Sequence, residues 1–80
     1  MTANFVPVAL KIQEMMEMDS SGLKMVMRFA KIYDTEKLKQ IVDLAMSYPW
    51  RHKLPLPAFM KAVKEVNTRE KELIELMENG

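Results

Sequence analysis

Apolar residues recur at helical spacing along almost the whole chain, and the breaks between them divide it into four helices. Phe5, Val8, Ala9, Ile12, Met15 and Met16 mark one face of a first helix, with Lys11, Gln13, Glu14 and Glu17 opposite. Asn4 is a suitable N-cap, and Pro7 falls in the first turn, where a missing N–H costs nothing. Asp19, Ser20, Ser21 and Gly22 end this helix and cap the next, with Gly22 read as permitting a tight turn. Residues 23–33 are apolar around most of a helical girth. Leu23, Val26, Met27, Ala30 and Tyr33 form one stripe, Met25, Phe29 and Ile32 a second. Only Lys24, Arg28 and Lys31 are left as a polar edge. That pattern predicts a central helix enclosed by its neighbours, with Phe29 in the core.

Asp34 and Thr35 cap a third helix whose inner stripe is Leu38, Ile41, Val42, Ala45 and Met46. Lys37, Lys39, Gln40 and Asp43 face water in this reading, and Pro49 stops the helix by disfavouring helical geometry before it. A fourth helix is predicted to start near Pro57. Phe59, Val63 and Val66 carry its inner stripe, and Leu73, Ile74 and Met77 continue the same line. Asn67 to Glu70 has the form of a capping box, but a continuous or gently kinked helix is expected. Its last turns, Glu-rich outside and apolar inside, need either the domain's own core or a second chain to cover them. The predicted fold is therefore all-α. It is a single four-helix, bundle-like domain over residues 1–80, with a proline-rich loop at 48–57 before the last and longest helix.

Composition narrows the function classes. A chain of 80 residues buries only ~60% of the surface its unfolded form exposes, so every large apolar side chain matters. Without cysteine, and with one histidine, neither a disulfide staple nor a structural zinc site is expected. No apolar run reaches the length of a membrane span, no signal pattern opens the chain, and a cytoplasmic setting is expected. The formal net charge of +1 hides a split. Residues 1–20 carry one Lys against three acids (−2), residues 21–64 nine Lys and Arg against three acids (+6), and residues 65–80 two against five Glu (−3). A basic middle between acidic ends points toward a polyanionic or acidic partner, because local field steers association.

Three groups stand out as candidate binding residues. Lys24, Arg28 and Lys31, with Arg51 and Lys53 in the loop and Lys61 and Lys64 on the fourth helix, form a cationic surface if the fold gathers them. Such a surface contacts phosphates in a salt-sensitive way; the bland reading is a solvated helix edge. Trp50, beside Tyr48 and His52, either stacks on a partner or plugs the open end of the bundle, which its bulk favours. The nine methionines are core filler or an adaptable docking face. The short turns between helices are also compatible with a helix-turn-helix reader, for which Lys37, Lys39 and Gln40 would be the base-facing candidates. No paired acids, glycine-rich phosphate loop or Ser-His-Asp arrangement is present, so no catalytic, cofactor or metal residue is assigned and an enzyme is not expected.

The stretch running from Tyr48, Pro49 and Trp50 through a short basic loop to Pro57, Ala58, Phe59 and on to Asn67 resembles the helical C-terminal segments of replication proteins, initiators or replisome organisers, carried by Gram-positive phages and plasmids. The similarity covers about a quarter of the chain. Trp50, Pro57, Ala58 and Phe59 are the residues that correspond, and the resemblance implies packing roles for them. It further implies a module that contacts DNA or a helicase-loading partner, although the winged-helix region that usually precedes the segment is missing here. The expected function is a non-enzymatic interaction domain binding a protein partner in DNA replication. Direct DNA binding and homodimerisation through residues 66–77 are the alternatives.

Overall fold

The computed structural model describes residues 5–79, so the Asn4 cap lies outside the described residues. Four helices follow in order: α1 (Phe5–Met16), α2 (Ser20–Ile32), α3 (Thr35–Met46) and α4 (Pro55–Asn79), with a 3-10 turn at Pro49–His52. The all-α, four-helix reading holds, and a proline-bearing turn does precede the longest helix.

The connections show how local chemistry sets the boundaries. α1 ends in a Schellman motif: Met18 N–H donates to the Gln13 carbonyl at 3.0 Å and Glu17 N–H to the Glu14 carbonyl at 3.3 Å. The residue that makes this reversal is Glu17, at φ 57°, in the left-handed region that glycine would occupy without strain. Gly22 has a different role from the turn expected of it. It sits inside α2, where a Cβ would lie 2.8 Å from Met18 Cβ, and its missing side chain lets α2 close over the buried Met18. Asp19 caps α2 by accepting from Gly22 N–H at 3.0 Å, and Asp34 caps α3 by accepting from Lys37 N–H at 2.9 Å. α4 starts at Pro55, two residues earlier than Pro57 suggested. Both prolines fit in its first turn, where N–H groups have no intrahelical acceptor.

α1 packs on α2 and α3 on α4, and the two pairs share one core. Its largest fully buried side chains are Phe59, Ile41 and Val26, from α4, α3 and α2. Ala58 and Ala62, flanking Phe59 along α4, are also fully buried and let neighbouring backbones approach. The centre of the molecule is thus the first half of α4. The expectation of an enclosed α2 is corrected: Val26 and Ala30 are buried, but Met25 and Phe29 are half-buried and Ile32 is 70% exposed. A chain this short lacks the partner surface to cover both apolar stripes of one helix. Met15 of α1, read as inward-facing, is likewise exposed.

α4 is a single helix through Asn67 and Thr68, as expected. Asn67 forms no cap there; its Nδ2 donates to the Tyr33 hydroxyl at 3.1 Å. One turn later Lys37 Nζ meets Glu70 Oε1 at 2.9 Å and lies 4.1 Å from the Tyr33 ring centroid. Lys37, expected to face water, is in fact half-buried in this tie between α3 and α4. Beyond Glu70 the helix runs on past α3. The radius of gyration, 13.4 Å, accordingly exceeds the ~12 Å of a compact domain of this length.

Candidate functional site

The overhang is the feature the fold leaves unfinished. Nothing in residues 70–79 breaks a helix, and the apolar spacing that buries Phe59, Val63 and Val66 continues through Leu73 and Met77. The register is fixed by Tyr33–Asn67 and Lys37–Glu70, and Leu73, one turn on, is the last of the described α4 residues to border the hollow shared with Gln40, Asp43 and Leu44 of α3. Leu73 and Ile74 are 57% and 55% exposed, and Leu76 and Met77 are 70% and 72% exposed. Taking each out of water gains a part of the ~1.5–3 kcal/mol that complete burial of a fully exposed side chain is worth. On the helical wheel these four side chains form one stripe, with Glu72 along one flank and Glu78 along the other. Residues 70–79 carry four Glu against one Lys, a local charge of −3.

A groove of about 470 Å³ lies on another side of the molecule, between α1 and α3. Val8, Ile12, Leu38 and Val42 form its apolar floor; Lys11 stands on the α1 wall and Lys39 on the α3 wall.

The cationic residues singled out in the sequence are carried by α2, by the turn before α4 and by α4 itself. Lys24, Arg28 and Lys31 share the outer edge of α2, opposite Gly22, Val26 and Ala30. Among the described residues, Lys24 and Arg28 form no ion pair, while Lys31 Nζ lies 5.8 Å from the Phe5 ring centroid. Lys61 and Lys64 border a shallow hollow with Glu65 and Thr68 on the face of α4 away from Phe59. Arg51 is half-buried and donates from Nη1 to the Met46 carbonyl at 2.9 Å, so its charge satisfies the C-terminus of α3. Lys53 and His52 border a hollow shared with Glu17 and Asp19 at the α1–α2 turn.

Trp50 stacks on Tyr48, with ring centroids 5.0 Å apart and planes 10° from parallel, and is 38% exposed. The plug expected at the end of the bundle is therefore only partial, with one side of the indole in water. Among the residues that carry the resemblance to replication proteins, Ala58 and Phe59 are fully buried packing residues, whereas Trp50 and Pro57 are at the surface.

The uncovered stripe was visible in the sequence as a continuation of the α4 pattern; Lys37 and the α1–α3 groove were not, because both arise from helices distant in sequence. No protein-family model, curated protein or solved structure matches the chain.

Proposed function

We propose that this chain is a protein-docking domain whose binding element is the second half of α4. The observation that carries the reading is the exposed stripe of Leu73, Ile74, Leu76 and Met77 on a helix that its own domain does not cover. Four large apolar side chains contiguous on one helix are a recurring recognition element, an amphipathic helix offered to a groove. The resemblance of the 48–67 stretch to replication proteins supports placing the partner in DNA replication. The cysteine-free composition supports a cytoplasmic setting. No helix among the described residues is long and apolar enough to cross a membrane.

The test compares capture of proteins from a lysate of the source cells by the wild-type chain and by the L73Q/M77Q double variant. Glutamine keeps helix propensity and charge while removing apolar surface. The reading expects specific partners to be lost with folding intact. Capture of the same proteins at the same level by the variant would refute it.

A second reading, direct DNA binding, is favoured by Lys24 and Arg28, exposed on one edge of α2 without an ion pair among the described residues. Titration of duplex and single-stranded DNA at two salt concentrations tests it. Binding that weakens steeply with salt supports it, and no binding at low salt removes it.

A further inference from the structure

The occupant that best fits the uncovered stripe is present in the same chain. We infer that the second half of α4 from one copy docks into the α1–α3 groove of a second copy; this inference rests on the protein-docking reading of residues 70–79. Shape and charge agree on it. The stripe presents apolar side chains flanked by Glu72 on one side and Glu78 on the other. The groove presents an apolar floor flanked by Lys11 on one wall and Lys39 on the other. Among the described residues Asp43 is the one acid lining the groove, a turn beyond Lys39. Among the described residues Lys11 is held by a loose 3.8 Å contact to Glu14, with both side chains largely in water, a pairing that contributes little and yields easily to a new partner.

Length agrees too. The groove's lining runs from Pro7 to Met15 on α1 and from Thr35 to Asp43 on α3, ~12 Å of helix, against ~9 Å from Glu72 to Glu78 on the tail. Within one copy the tail does not fill the groove: no residue of α4 is among those that line it. Pairing of two tails with each other brings together two segments that each carry a net charge of −3, and like charges oppose association. The groove removes that conflict.

Sedimentation equilibrium from about 10 µM to about 1 mM tests the contact, spanning the range of a small, transient interface. Wild type is expected to rise above monomer mass with concentration. K11E/K39E and E72K/E78K are each expected to weaken self-association by roughly tenfold. K11E/K39E/E72K/E78K, with both sides exchanged, is expected to return to wild-type association. All four positions are exposed, and thermal melts of each variant confirm the fold. Three results overturn the inference: wild type monomeric throughout, K11E/K39E associating like wild type, or the fourfold variant failing to recover. The capture experiment with L73Q/M77Q separates this failure from that of the docking reading. A monomeric wild type whose partners are lost in L73Q/M77Q has a different occupant for the same stripe.

Discussion

Gly22→Ala sets two known effects against each other at one position. An alanine inside a helix is favoured over glycine by up to ~1 kcal/mol, because the unfolded chain loses freedom it would otherwise keep. Gly22 is a helical residue with no positive φ, so this gain is available to it. Against it stands space. The new Cβ lies 2.8 Å from Met18 Cβ and 3.1 Å from both Met18 Cγ and Sδ. Met18 is itself buried, and its Cβ is fixed to the backbone of the Schellman turn, so it cannot swing clear. Overpacking of this kind costs ~1–3 kcal/mol. Taken together, the variant is expected to lose about 1 kcal/mol, which for a domain of this size lowers Tm by about 4–8 °C. Circular dichroism melts with Ser21→Ala as a neighbouring exposed control measure it. A Gly22→Ala protein melting at or above wild type would refute the close approach of α2 to the Met18 turn.

Other consequences follow from single residues. Glu17→Gly relieves the left-handed backbone at the end of α1 and is expected to raise stability by about 0.5–1 kcal/mol in urea unfolding, despite replacing a side chain by none. Phe59→Ala is expected to cost ~3–5 kcal/mol as a fully buried truncation, and Phe29→Ala less, since Phe29 is only half-buried and packs on the Phe59 ring at 5.9 Å. Equal losses for the two would contradict the placement of the core. Tyr33→Phe removes the acceptor of the Asn67 bond and is expected to cost about 1 kcal/mol, read from the same unfolding curves. L73Q/M77Q is expected to change monomer stability by less than about 0.5 kcal/mol, because both side chains are more than half exposed.

How much of this is legible in the sequence depends on the range of the interaction that decides it. Asp19 and Asp34 cap the helices they precede, Pro49 ends α3, and Leu38, Ile41, Val42 and Ala45 are buried as their spacing demands. These are local matters of period and capping. The placement of α2 is not local. Its two apolar stripes suggested the middle of the fold, but Phe59 and Ile41 hold that place, because α4 and α3 bring small residues and a fully buried aromatic to the contact. Gly22 does not make the turn expected of it: that turn is made by Glu17, and the glycine makes room for Met18. Neither is evident before the α1–α2 packing is known. The overhang of α4 was half legible. The stripe itself is in the sequence, whereas the point at which its cover ends is set by Tyr33–Asn67 and Lys37–Glu70, contacts spanning more than thirty residues.

Amide hydrogen exchange along α4, recorded in dilute and in concentrated solution, bears most directly on the central claim that residues 71–79 extend beyond the Lys37–Glu70 tie and become covered on association. The first half of the helix, around Phe59 and Val63, is expected to be protected at both concentrations. Residues 71–79 are expected to exchange within the fast, locally fraying class when dilute and to gain protection when concentrated. Strong protection of the tail in dilute solution, or no change on concentrating the protein, would contradict the account.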